Sequence, residues 1–244
     1  MSSICNALCP LSGISKITFV HVRGYGLETP VQPLRQAAQS VAHRLAGAGH
    51  QALFAGGCVR DALLGLEPAD YDIATSARPG EILALFPRSD EVGAHFGVII
   101  VREKDYQFQV ATFRSDGTYL DGRHPESVTF TSAEEDARRR DFTINGLFED
   151  PFSGDIIDHV EGRRDLEAGI LRAIGIPHER FAEDALRLLR ALRFAVHTGF
   201  EIHSATWDAL CADAALIRQV SPERVRDEFS KIMTHSSRRM GIEL

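Results

Sequence analysis

Over the first 29 residues, Ser, Gly and Pro interrupt the apolar positions, and one β-branched run, ITFVHV, sits among them with no sustained period; the stretch reads as an irregular extension. From Pro33 the pattern changes. LRQAAQSVAHRLAGAG spaces its apolar residues at helical intervals and stops on glycines, which predicts a helix. ALFAGG follows as a short apolar strand, DALLG as a one- or two-turn helix, YDIAT as a second strand and RPGEILALF as a further helix. GVIIVRE and YQFQVATFR are β-rich runs of the hairpin sort. Beyond Asp158 the period turns helical, most clearly in RFAEDALRLLRALRFAVHTG, then in ATWDALCADAALIRQV and PERVRDEFSKIMTH. The pattern predicts an α+β head with a small mixed sheet over residues 30–158 and an all-helical domain over residues 159–244.

Composition narrows the partners. With 244 residues and 44% apolar content, the chain can bury a sizeable core in one large or two modest domains. Its formal net charge of −7 argues against a general nucleic-acid binder, because phosphate attraction needs a basic surface, so any such surface must be local. Cys5, Cys9, Cys58 and Cys211 are too few and too scattered for a disulfide framework, and Cys5 and Cys9 lack a second pair to complete a zinc site. Reduced thiols and a cytoplasmic setting are expected. No apolar run approaches the roughly 20 residues that span a bilayer, and MSSICNALCPLSG lacks the basic-then-apolar order of a secretory signal, so no membrane role is expected.

Residues 56–75, GGCVRDALLGLEPADYDIAT, carry the first candidate chemistry. Gly56 and Gly57 at a strand-to-helix turn would let the backbone approach a phosphate, with Arg60 as a charged donor; a plain turn is the alternative. Asp70 and Asp72, two apart in an extended segment, would point to one face with Tyr71 and Ile73 behind them. Two carboxylates about 4–5 Å apart repel by about 3–4 kcal/mol at an effective dielectric near 20, a cost that a divalent cation removes. Oxygen ligands without nearby His or Cys favour Mg²⁺, which keeps waters and substrate phosphate oxygens in its shell; a solvated strand end is the alternative.

A second candidate lies in residues 180–199. On a helical wheel, Asp184, Arg187, Arg190 and Arg193 fall on one side and Leu188, Leu189, Leu192 and Val196 on the other. One reading is a solvated face with ion pairs worth about 0.2–0.5 kcal/mol each. The other is a base reader. Adenine and cytosine present an amino donor beside a ring-nitrogen acceptor, whereas guanine and uracil present the reverse order, so a fixed acceptor beside a fixed donor suits ATP and CTP by about 1–3 kcal/mol.

GGCVRDALLGLEPADYDIAT, RRRDFTINGLF (residues 138–148), DHVEGRRDLEAGILR (158–172), RFAEDALRLLRALRF (180–194) and SPERVRDEFSKIM (221–233) together resemble, in order, the motifs of the class II tRNA nucleotidyltransferases and bacterial poly(A) polymerases, within the DNA polymerase β superfamily. The resemblance covers residues 50–235. It implies a polymerase-β-like nucleotidyltransferase head followed by a helical neck that is truncated relative to the family, ending at HSSRRMGIEL. It also implies CMP and AMP transfer from CTP and ATP to the 3′ end of tRNA or another RNA. By that resemblance Asp70 and Asp72 hold Mg²⁺, Gly56, Gly57 and Arg60 hold the triphosphate, and Arg140 contacts the nucleotide. Asp141 belongs to the sugar or catalytic region, Asp184 and Arg187 form the base template, and Arg190 and Arg193 support the triphosphate or the template. RSDGTYLDGRHPES (114–127) sits where the family keeps a flexible loop associated with the terminal A.

Two departures from the family pattern stand out, Gln109 and the end of the sequence at HSSRRMGIEL, in what reads as the neck, where relatives continue into helical body and tail domains. Gln109 replaces a glutamate found in many members, which implies weaker metal binding or a slower reaction. VGAHFGVIIV (92–101) lacks the paired basic residues associated with bacterial poly(A) polymerases, so the pattern leans toward CCA addition. Poly(A) synthesis and a catalytically weak RNA- or nucleotide-binding relative are the alternatives.

Overall fold

The computed structural model describes residues 33–90, 97–117 and 127–244. The extension expected over residues 1–29, the start of VGAHFGVIIV and the middle of RSDGTYLDGRHPES lie outside the described residues.

Helix α1 (Pro33–Gly47) opens on proline, and Ala37, Ala38, Val41, Ala42 and Leu45 form one fully buried face. With Ile82 of α3 (Pro79–Leu85), that face covers one side of a seven-stranded sheet around Phe54, Ile73, Ile99 and Val110. Numbered along the chain, the strands run across the sheet as β3 (Ser89–Asp90), β4 (Val98–Glu103), β5 (Tyr106–Thr112), β2 (Asp72–Thr75), β1 (Ala52–Ala55), β8 (Leu147–Glu149) and β9 (Ile156–Asp158). β2 and β5 pair in parallel and the other neighbours antiparallel, so the sheet is mixed, as the pattern predicts. The expected hairpin is β4–β5, in register from Val98 opposite Ala111 to Glu103 opposite Tyr106.

β1 is buried on both faces, which explains its continuous apolar run. Phe54 points toward α1, while Leu53 and Ala55 pack with Ala133 and Ala137 of α4 (Ala133–Arg138) and with Phe148. The polar segment after β5 begins and ends in a second small sheet, in which β6 (Arg114–Asp116) pairs antiparallel with β7 (Val128–Phe130).

The helical portion comprises α5 (Gly162–Ala168), α6 (Pro177–Glu183), α7 (Leu186–Thr198), α8 (Ser204–Asp213), α9 (Pro222–Thr234) and α10 (Arg238–Glu243). Phe142 and Ile144, from the segment before β8, share its core with Phe181, Ala191, Phe194 and Leu210. Apolar packing therefore joins α7 to RRRDFT. The described residues belong to one compact unit. At the start of α5, Asp158 accepts hydrogen bonds from the backbone N–H groups of Val160, Gly162 and Arg163. A Cβ on Gly162 would lie 2.1 Å from the Thr143 carbonyl oxygen, so DHVEG requires glycine there.

Three elements differ from the sequence expectation, the first being α2 (Gly57–Leu63), which starts four residues before DALLG, directly at the glycine pair. The region after Asp158 is not wholly helical: Gly169 (φ +68°) and Gly199 (φ +72°) end α5 and α7 in left-handed turns, and β10 (Ile170–Leu171) and β11 (Glu201–Ile202) then pair in parallel. The helix read through residues 180–199 is broken at Asp184, which is extended (φ −145°, ψ 103°). Its carboxylate Oδ1 accepts from Leu186 N at 3.1 Å, a local bond that competes with helix continuation. Asp184 therefore stands at the mouth of α7 rather than on a wheel with Arg187, Arg190 and Arg193.

Candidate active site

A cavity of about 570 Å³ opens between the sheet and α7, lined by residues from the β1–α2 turn, the start of β2, the segment after α4, the α6–α7 junction, α7 and α9. Gly56, Gly57, Arg60, Asp70, Asp72, Arg140, Asp141, Asp184, Arg187, Arg190 and Arg193 all line it. Seven arginines and five aspartates contribute, so a chain of net charge −7 concentrates a local positive excess here.

Helix α2 (Gly57–Leu63) starts directly after β1. Gly56 has φ +71°, and a Cβ there would sit 3.0 Å from Arg140 Nη1, so the turn takes glycine for backbone conformation and for the approach of Arg140. Arg60 donates through Nη1 to Asn145 Oδ1 (2.7 Å) and through Nε to Asp61 Oδ1 (2.9 Å), which fixes its guanidinium at the cavity wall. With only two turns, α2 supplies little end charge, and attraction for anions rests on the arginines. Cys58, in the same motif, is buried, and burial pushes its thiol up to about 12, which makes it inert packing.

Asp70 precedes β2 and is exposed; Asp72 begins the strand and is half-buried; Tyr71 and Ile73 face the core. Burial pushes the Asp72 carboxyl up to about 6, and the Asp70 charge adds to the push, partly opposed by Arg140. Among the described residues, neither carboxylate has an ion-pair partner, and no group of three His, Cys, Asp or Glu side chains could hold a metal. The register of β2 on β5 sets Ile73 beside Val110, so Gln109, one step earlier, shares the strand face of Asp72.

Asp141 lines the cavity but is 7% exposed, and both of its oxygens are engaged. Oδ1 accepts from Phe142 N (2.8 Å) and Asn145 Nδ2 (3.0 Å), and Oδ2 accepts from Arg190 Nε (2.9 Å) and Nη2. Burial pushes its carboxyl up, but the Arg190 charge and these hydrogen bonds overcome that and hold it at about 2. In this geometry it anchors Arg190. Asp136, equally buried, pairs with Arg139 (2.7 Å) and Arg140 (2.9 Å) and so fixes two arginines of RRRDFT.

At the α6–α7 junction, Asp184 Oδ2 accepts from Arg224 Nη2 of α9 at 2.8 Å. Arg187 is 9% exposed, and its Nη1 donates to Glu183 Oε2 (2.5 Å) and to the Arg180 carbonyl (3.0 Å). Its Nη2 donates to the Arg139 carbonyl (3.3 Å). The acceptor and the donor are both clamped. Arg193 pairs with Glu228 of α9 (2.5 Å), which ties the far end of the arginine row to the same helix. Arg224, Glu183, Asp136, Asn145 and Phe194 escaped the sequence reading, although Arg224 and Glu228 sit within the SPERVRDEFSKIM motif.

A family model described as Poly A polymerase head domain matches residues 52–172. A second, described as Probable RNA and SrmB-binding site of polymerase A, matches residues 199–244. The CCA-adding enzyme of Lacticaseibacillus paracasei is 45% identical over 213 residues, 87% of this chain and 53% of that protein. The CCA-adding enzyme of Lactiplantibacillus plantarum is 45% identical over 81% of this chain and 49% of its own length. The crystal structure of the Bacillus stearothermophilus CCA-adding enzyme in complex with CTP is similar with a TM-score of 0.79 and 39% identity, covering 86% of this chain and 51% of that one. The Thermotoga maritima CCA-adding enzyme complexed with tRNA has a TM-score of 0.72 at 25% identity over 87% of this chain and 50% of its own. The chain spans about half the length of the curated relatives it matches. Head and RNA-binding patterns in order, close sequence likeness to CCA-adding enzymes and a shared fold agree: the chain belongs to the family of class II tRNA nucleotidyltransferases and bacterial poly(A) polymerases.

Proposed function

We propose that the chain is the head and neck of a template-independent RNA nucleotidyltransferase that adds CMP and AMP, from CTP and ATP, to tRNA 3′ ends. Residues 30–158 are the head and 159–244 the nucleotide-selecting neck. The observation that carries the reading is the cavity whose lining brings together Asp70, Asp72, a clamped acceptor and donor, Asp184 and Arg187, and a row of arginines.

Asp70 and Asp72 suit a divalent cation: two carboxylates on one cavity wall, one driven up to about 6 by burial and by the other's charge, lose that penalty when a cation binds. Mg²⁺ held there would activate the RNA 3′-hydroxyl and stabilise the leaving pyrophosphate. Arg60, Arg140, Arg190 and Arg193 bind the triphosphate and offset its charge as the bond between the α- and β-phosphates breaks. The 3′-oxygen forms its bond to the α-phosphorus as pyrophosphate departs. Asp184 accepts the amino group of cytosine or adenine, and Arg187 donates to the adjacent ring nitrogen. Arg224 and Glu183 keep that pair in place, so one protein surface selects two nucleotides.

Incubating the chain with Mg²⁺, labelled nucleotides and tRNAs that lack the last three, two or one nucleotides tests this reading. CTP incorporation followed by ATP supports it. A long A tail on any RNA would support poly(A) synthesis instead. CTP binding without incorporation would leave a nucleotide-binding relative.

A further inference from the structure

Three guanidinium groups converge on the ring of Phe194. The Arg193, Arg60 and Arg190 carbons lie 4.1, 5.1 and 5.3 Å from its centroid. Arg60 comes from α2 in the head, and the other two come from α7. The ring is 5% exposed, lines the cavity, and meets Phe142 edge-on at 5.7 Å. Three like charges drawn to one ring repel one another, and each is also held by a carboxylate of its own. An aromatic face attracts cations through its quadrupole, carries no net charge and uses none of their N–H donors. Asp61, Asp141 and Glu228 pair with the three arginines one by one, whereas all three guanidinium groups approach the ring.

We propose that Phe194 is a positioning residue for triphosphate binding: its ring gathers arginines from the head and the helical portion, each with its own carboxylate partner, at one place on the cavity wall. The proposal rests on the nucleotide reading of the cavity. It makes phosphate binding depend on the register between α2 and α7, because Arg60 of α2 and the two arginines of α7 converge on this ring.

The test replaces Phe194 with mono-, di- and trifluorophenylalanine, which weaken the quadrupole at nearly constant volume, and measures CTP and CMP affinity by calorimetry on the full chain. CTP affinity is expected to fall stepwise, reaching about tenfold with three fluorines, while CMP affinity changes less than about threefold. Phe194→Leu should resemble the trifluoro form, and Phe194→Tyr should retain CTP binding. CTP affinity that ignores fluorination, or CTP and CMP affinities that fall in parallel, overturns the role of the ring. Absence of CTP binding by the unmodified chain overturns the nucleotide reading along with it.

Discussion

Asp141→Asn removes the charge that pairs with Arg190 while keeping the side chain's shape. The folded carboxyl is held at about 2 against an ordinary 3.8, a difference that corresponds to about 2 kcal/mol of stability above pH 4. The amide also turns one acceptor into a donor. Oδ1 and Oδ2 each receive N–H groups, so an NH₂ at either position faces a donor and leaves a buried group unsatisfied. Truncating one partner of a buried pair costs about 3–5 kcal/mol, but Arg190 is 33% exposed and keeps some solvent, so the expected loss near neutrality is about 2–4 kcal/mol. The sign with pH follows from the depressed carboxyl. The wild-type advantage is complete above the unfolded value of 3.8 and disappears as pH falls through about 2. Urea unfolding of both proteins between about pH 7 and pH 2 measures it. A difference below about 0.5 kcal/mol at neutrality, or one that persists in acid, would refute the anchoring role. Activity lost with stability unchanged would return Asp141 to the catalytic group.

Further outcomes follow from the same contacts. Arg224→Gln releases the Asp184 carboxylate, so discrimination between CTP and UTP in a competition assay should relax by about tenfold, and unchanged discrimination would show that Asp184 needs no clamp. Gln109→Glu adds a carboxylate on the strand face of Asp72 and should lower the Mg²⁺ concentration for half-maximal incorporation several-fold; no change would remove Gln109 from the metal site. Gly56→Ala forces a side chain to φ +71° with Arg140 Nη1 at 3.0 Å, so unfolding should become easier by about 1–3 kcal/mol, and wild-type stability would mean that the turn relaxes freely.

Period and turn chemistry carried most of the head. The alternation around β4 and β5 and the glycine stops are local signals, and the structure places α1, β1, β2, α3, β4 and β5 within a residue or two of their patterns, whereas α2 starts at Gly57, four residues before DALLG, and α4, β8 and β9 show no pattern of their own. The break at Asp184 was hidden because Phe, Ala, Leu and Arg on both sides are ordinary helix residues, whereas the extended turn depends on bonds to Leu186 N and to Arg224, forty residues later. The two-residue strands β10 and β11 are too short to show a period. At the cavity, residue types identified candidates, but their partners were out of reach. Nothing in RRRDFT distinguishes a carboxylate facing substrate from one tied to Arg190, 49 positions away, and nothing around Phe194 signals that Arg60 lies against it.

Asp72→Asn removes one negative charge from the pair assigned to the metal and leaves the base-reading and triphosphate residues untouched. Single-nucleotide incorporation of labelled CMP into a tRNA lacking its three 3′ nucleotides, under single-turnover conditions with Mg²⁺, compares this variant with the unmodified chain. Incorporation by the unmodified chain, with a rate at least about a thousandfold lower for Asp72→Asn and CTP affinity within about threefold, is the expected result. Incorporation that continues at an undiminished rate in the variant would contradict the assignment of Asp70 and Asp72 as the metal-binding pair.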